Sequence, residues 1–301
     1  MLMNTSHKSP VTALQMALRK TPKAISLSGI FALALFALLV APAAFAAGPD
    51  TWTGTSDASW TNVANWTAGA GGTAPPAAGD SLIFTSATGL GGTTLNNDIT
   101  GSRSFLNLTF DSGSAAYTFT NSAITLTGNV TNNSTSLQTI NFPIAATTAR
   151  TFTTTAGGGD ITLGGVFSGA LGGITKQGNG TLTLSGATNT YTGPTAVSKD
   201  TLVRSDIGGS TASTATLTVG DTAGMTNPAA IMKIVTGANV TNYSLSIGAN
   251  ATGPGAVFQS GGKLTLAQGG NTADFQIGTV SSTYGYYLLS CLLYTSPSPR
   301  D

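Results

Sequence analysis

Three observations predict an all-β fold for this 301-residue chain. Apolar residues alternate with threonine and serine in short runs, the period-2 pattern of a strand with one face buried and one in water. Gly, Asn and Pro interrupt those runs every few residues, so the chain changes direction often. Glutamate is absent while Thr, Ser, Gly and Val are plentiful, which favours strands and turns over helices. With 8% charged residues and 39 glycines, the composition also departs from that of an average globular enzyme and of a charged disordered segment.

Taken in order, residues 1–24 are polar and carry Lys8, Arg19, Lys20 and Lys23 without an acid. Residues 25–40 are apolar, and 41–47 read Ala-Pro-Ala-Ala-Phe-Ala-Ala. A basic start, a short apolar middle and a small-residue exit predict a secretory signal peptide over 1–46, cleaved between Ala46 and Ala47. The apolar run is shorter than the roughly 20 residues that span a bilayer, and Pro42 ends it. The expected destination is across the inner membrane.

Residues 47–100 are expected to form an N-terminal cap and hold all three tryptophans, Trp52, Trp60 and Trp66. Confined to one end, they suit a lid over the first exposed strand edge. Their alternative use is an aromatic platform for sugar rings, which makes the three of them candidate glycan contacts. A Pro-rich loop over 74–80 then leads to a strand at 81–84.

Residues 101–290 read as a succession of short strands. Apolar doublets recur at Leu106/Leu108, Ile124/Leu126, Ile140/Phe142, Ile161/Leu163, Leu182/Leu184, Leu217/Val219, Leu245/Ile247 and Leu264/Leu266. Their first members are 18, 16, 21, 21, 35, 28 and 19 residues apart, most of them near the length of one solenoid coil. No such strand buries its face alone, so coil must stack on coil. The competing fold, a β-sandwich, calls for tight hairpins marked by Asn-Gly or Asp-Gly dipeptides, and these do not recur.

The stretch 172–203 carries the clearest pattern, with strands predicted at 174–176, 181–185 and 195–198. It resembles the autotransporter-associated β-strand repeat through Gly173, Ile174, Lys176, Gly178, Gly180, Thr181, Leu182, Leu184, Ser185 and Gly186. The match continues through Asn189, Tyr191, Gly193, Thr195, Val197, Thr201 and Leu202. Asp200 stands where that family usually has Gly, and Pro194 where a second Gly or Thr is common. The resemblance implies a right-handed parallel β-helix on a secreted bacterial surface protein. Residues 255–266, with 275–278 and 284–290, are similar to a second repeat of the same proteins. The run 291–301, with Cys291 and two prolines, breaks this pattern and is read as a non-native or disordered tail. On that reading the reading frame continues past residue 290, where a membrane barrel or another anchor is expected.

Few residues of this sequence suit catalysis. Between 47 and 290 there is no His, Cys or Glu, which removes Ser-His-Asp, thiol and His/Cys zinc chemistry. The acids are Asp50, Asp57, Asp80, Asp98, Asp111, Asp160, Asp200, Asp206, Asp221 and Asp274, with no two at i, i+2. The closest pair, Asp200 and Asp206, lies beside Lys199 and Arg204 and reads as a surface turn of the repeat, with a lyase or hydrolase site as the alternative. Gly157-Gly158-Gly159-Asp160 is similar to a calcium-binding glycine–aspartate repeat but occurs once. The scattered basic residues (Arg103, Arg150, Lys176, Lys199, Arg204, Lys233 and Lys263) make no nucleic-acid footprint. The expectation is therefore a structural or adhesive passenger, not an enzyme, with no cofactor or metal, and with extracellular glycans or other cell surfaces as partners. A carbohydrate-binding module built on the tryptophans, or a β-helix lyase or hydrolase, are the alternatives.

Overall fold

The computed structural model describes residues 48–86, 88–154, 159–186, 188–209, 215–220, 230–248, 253–266, 275–278 and 284–290. The signal segment 1–46, its cleavage point at Ala46 and Ala47, and the tail 291–301 lie outside the described residues. Among those described, there is no α-helix and one short 3-10 turn, Val63–Asn65.

The strands fall into three faces that the chain visits in a fixed order. Thr94–Asn97 belongs to a 9-stranded face, Arg103–Phe105 to an 8-stranded one and Leu108–Phe110 to an 11-stranded one. The next three strands, Thr118–Asn121, Ile124–Leu126 and Val130–Asn132, repeat that order one level on, and so does the rest of the chain. Ladders within each face are parallel, which a chain achieves by circling once between neighbouring rungs. This is a parallel β-solenoid. The exception is the antiparallel pairing of Pro49–Trp52 with Trp66–Ala68 at the first end. The single Asn-Gly dipeptide, Asn179-Gly180, turns a corner between two faces instead of closing a hairpin.

Alternation explains each strand. Ser81–Phe84, Thr181–Leu184 and Thr216–Val219 all bury their second and fourth residues and leave the other two part-exposed. Parallel in-register pairing then converts each buried position into a column running along the axis. On the 11-stranded face one column reads Leu82, Leu108, Val130, Phe152, Lys176, Val197, Val219 and Ile247. On the 9-stranded face another reads Leu95, Phe119, Ile140, Leu163, Leu184, Arg204 and Ile234. Two cations thus occupy slots that are apolar in every other coil of those stretches.

Most of the apolar doublets are strand cores, although Leu106 falls between two strands and is exposed and Phe142 lies just past Gln138–Ile140, and they do not mark one coil each. Ile161/Leu163 and Leu182/Leu184 lie on the 9-stranded face, Leu217/Val219 and Leu245/Ile247 on the 11-stranded face, and Ile124/Leu126 on the 8-stranded face. Intervals measured across faces are not coil lengths. Measured within a face, Ile161 pairs with Leu182 and Leu182 with Leu202, steps of 21 and 20 residues. Later coils are longer: Leu202 pairs with Met232 and Leu217 with Leu245, steps of 30 and 28. The ladder also starts earlier than the expected boundary at residue 100. Pro49–Trp52 pairs in parallel with Ser81–Phe84, and that strand with Leu108–Phe110, so residues 47–100 supply rungs as well as a cover.

Candidate functional site

Within the best-marked stretch, the three expected strands are present as Gly173–Gly178, Thr181–Leu184 and Thr195–Val197. A fourth, Thr188–Tyr191, lies between the last two. Its inward residues are Asn189 and Tyr191, so it lacks the apolar alternation that marks the others. The first three in chain order make one circuit of the solenoid, and Thr195–Val197 opens the next by pairing with Gly173–Gly178.

Corner geometry accounts for the glycines that matter most. Gly178 has φ +72°, and a Cβ there would sit 1.5 Å from the Thr154 carbonyl oxygen of the coil before. Only glycine fits that position. Asp200, where the resembled family has Gly, takes φ +53°. Asp tolerates the left-handed region better than most residues. Its carboxylate oxygen accepts a hydrogen bond from Gly180 N–H at 2.9 Å, and Asp160 accepts one from Thr181 N–H at 2.7 Å. Two acids from neighbouring coils therefore tie down the same corner.

Lys176 closes that corner from inside. Its side chain is fully buried, and Nζ donates to the carbonyls of Gln177 and Gly178 at 2.8 Å each and of Lys199 at 3.4 Å. Burial pushes its pKa down to about 8, against the pull of Asp200 and Asp160.

Arg204 fills the second charged slot. Nε donates to Asp206 Oδ1 at 2.6 Å and Nη2 to Oδ2 at 2.8 Å, a bidentate pair with both side chains wholly buried. Asn189 Nδ2 donates to Asp206 at 2.6 Å, while its Oδ1 accepts from Phe167 N–H at 2.6 Å. Arg204 Nη1 reaches the Tyr191 hydroxyl at 3.1 Å, which bonds Thr195 at 2.8 Å. Burial works against the guanidinium charge, but Tyr191 and Asp206 more than offset it and hold its pKa above the ordinary range.

This corrects the reading of Asp200, Asp206, Lys199 and Arg204 as one surface cluster. Asp206 and Arg204 point inward, whereas Asp200 serves the corner, so the two carboxylates do not face one substrate. No water or sugar reaches an ion pair with no exposed atom, so its chemistry is that of a clamp. Asn189 and Tyr191 are visible in the sequence as motif positions. Their partnership with Arg204 and Asp206 is not, because those residues lie in the next coil, at the end of Thr201–Arg204 and just beyond it.

The tryptophans are inside as well. Trp52 and Trp60 are 0% exposed and Trp66 5%. Trp66 packs edge-on against both others at 5.1 and 5.7 Å, and Trp60 also meets Phe84, Phe105, Phe119 and Phe142 within 6.0 Å. Asn65 shapes their loop by donating to Asp57 and to the Ser59 carbonyl. Asp98 fastens it through Thr61 N–H and the hydroxyls of Ser59 and Thr61. No ring face is left open for a sugar, which removes the platform that these residues suggest by their clustering alone.

Of the glycine–aspartate stretch, Gly157 and Gly158 lie outside the described residues. Gly159 and Asp160 give their carbonyls to Asn132 Nδ2. Among the described residues no group of three metal-ligating side chains converges. A surface hollow of about 360 Å³, lined by Thr125, Ala145, Ala146, Gly169 and Leu171 among others, carries no titratable group.

Residues 174–202 match the family model described as Passenger-associated-transport-repeat. The matched stretch coincides with the circuit built around Lys176, Asn189 and Tyr191. No curated protein and no solved structure matches the chain. With that match seated in a parallel β-solenoid, the chain carries at least one autotransporter-associated β-strand repeat, at residues 174–202.

Proposed function

We propose that this chain is the passenger of an exported, right-handed β-helix protein, displayed at the cell surface or released, and that its work is mechanical and adhesive instead of catalytic. The observation that carries this reading is the parallel ladder that runs along all three faces, with Lys176, Arg204 and Asp206 turned inward as braces. Right-handedness follows from the strong preference of parallel crossovers for that hand. The family match supports export to the surface.

The outer surface supports contact with neutral, hydroxylated partners. Thr94, Thr118, Thr139, Thr162 and Thr183 form one outward row on the 9-stranded face. Spaced by about 4.8 Å, they present alternating methyls and hydroxyls with no charge to desolvate. Glycans are the partner class this surface suits. The described end of the solenoid is open: Phe275 and Ile277 are 50% and 42% exposed, while Leu245 and Ile247, their pairing partners, are wholly buried. That edge is suited to carry a further coil leading to an anchor.

Whole-cell protease shaving and fractionation of bacteria producing the full chain test this function. The expected result is a leader-cleaved product outside the inner membrane with a protease-resistant core. Retention in the cytoplasm with the leader intact would sink the export reading. A glycan array with the full chain tests the adhesive part separately, and no binding to any neutral glycan removes it.

A further inference from the structure

The first rung of the solenoid contains a buried pair of acids that the passenger reading does not use. Asp50 occupies an inward position of strand Pro49–Trp52, beside Trp52, and is 0% exposed. Asp80 ends the loop before Ser81–Phe84 and is 1% exposed. Strand pairing sets Asp80, just before Ser81, beside Asp50, and among the described residues neither Asp50 oxygen finds a hydrogen-bond donor. Asp80 is held as an acceptor by Gly48 N–H at 3.2 Å and Ala77 N–H at 2.6 Å. Gly72 packs so closely over the pair that a Cβ there would lie 2.3 Å from Asp50 Oδ1.

Two facing carboxyls cannot both be ionised in so dry a place without strong repulsion, and one shared proton turns the repulsion into a hydrogen bond. Among the described residues no cation balances them. The elements packed on Asp50, namely Trp66–Ala68, Ser81–Phe84 and residues 69–72, carry no charged side chain. Arg103, from the next coil, donates to the Pro76 carbonyl on the far side of the loop. Asp57 and Asp98 bond the neutral donors of the tryptophan loop.

We propose that Asp50 and Asp80 form a proton-shared latch that holds the first rung shut in acid and releases it on deprotonation, opening the tryptophan-lined end of the solenoid. Burial first, and then the neighbouring Asp80, pushes Asp50 up to about 7 from 3.8. A carboxyl whose folded pKa lies above its unfolded value stabilises the fold fully below about pH 4, and that contribution is lost as pH rises through about 7. The end rung is where such a loss has an effect, because Pro49–Trp52 has a single parallel neighbour and fraying in a solenoid begins at its ends. Release bares the edge of Ser81–Phe84 and the rings of Trp52 and Trp66, which pack against each other, Trp66 also against Phe84.

All three tryptophans lie in this end, so their fluorescence reports it. In the purified full chain, emission should shift to the red and acrylamide quenching should rise from about pH 5 to about pH 9, with a midpoint near 7 and an unchanged far-ultraviolet β signal. Asp50→Asn keeps a donor toward Asp80 at every pH and should flatten the transition. If that variant fails to fold, Asp80→Asn serves instead: it gives Asp50 an amide donor, which favours the carboxylate and moves the midpoint to lower pH. A wild-type spectrum constant over this range overturns the latch, as does a midpoint unmoved in every variant that folds. Restoration of the acid spectrum at high pH by millimolar calcium also overturns it, since the pair would then hold a cation.

Discussion

The two ends of the described solenoid's first half are braced by opposite means. Around residues 50–119 the interior is a cluster of aromatic rings, Trp60 at its centre and Trp52, Trp66, Phe84, Phe105 and Phe119 around it. The repeat and the start of the coil after it, 174–206, instead carry Lys176, Asn189, Tyr191, Arg204 and Asp206 inside, held by charge-assisted hydrogen bonds. Rings bury much area but tolerate small shifts of register. A bidentate ion pair tolerates none, since each atom has a fixed partner. The aromatic end therefore favours burial and closure, and the repeat favours register. A chain of similar, threonine-rich rungs needs the second device where neighbouring strands are most alike, because a slipped rung would meet almost the same side chains.

Breaking the clamp on one side is expected to have the largest effect. Arg204→Met leaves Asp206 buried and unpaired, which costs about 3–5 kcal/mol. Replacing both, Arg204→Met with Asp206→Leu, should recover most of the loss while loosening register. Denaturant midpoints give the first quantity and hydrogen exchange on 181–204 the second. Equal midpoints for the single variant and the wild type would mean that the clamp contributes little.

At the other end, Trp60→Ala removes the hub of five ring contacts and should cost about 3–4 kcal/mol through the cavity it leaves. In a solenoid that cost stays local. Exchange should accelerate across 50–110 and stay slow in 174–204. Uniform acceleration along the chain would show that the two ends are one cooperative unit and erase the contrast.

The smallest effect sharpens the comparison through pH. Lys176 is buried with its pKa lowered to about 8 from 10.5. Its unfolded form binds the proton more tightly, so stability should rise between about pH 8 and pH 10.5 and stay level just below 8. That window lies above the one in which Asp50 acts. Midpoints measured across it should slope gently upward for the wild type and be flat for Lys176→Met. A slope that survives the substitution assigns the titration to another group.

Much of this architecture is legible without coordinates, because it is local. Ser81–Phe84 and Thr181–Leu184 announce their inward faces by alternation, and Gly178 its corner by the repeat pattern. Thr188–Tyr191 escapes notice because it buries an amide and a phenol, and those read as turn residues until Asp206 and Thr195 are seen to satisfy them. The tryptophans suggest a sugar platform because clustering in sequence does not say which way a ring points.

Alone, then, the order of residues determined the fold class, the period-2 strands, the coil centred on 172–203 and the scarcity of groups fit for catalysis. Tertiary structure decided which face each strand joins, that Arg204 and Asp206 turn inward, and that Asp50 meets Asp80. The physical reason is distance along the chain. A residue's partner in a solenoid lies a whole coil away, coils here step by 20 residues in one place and 30 in another, and a single residue of difference sends a side chain to the opposite face.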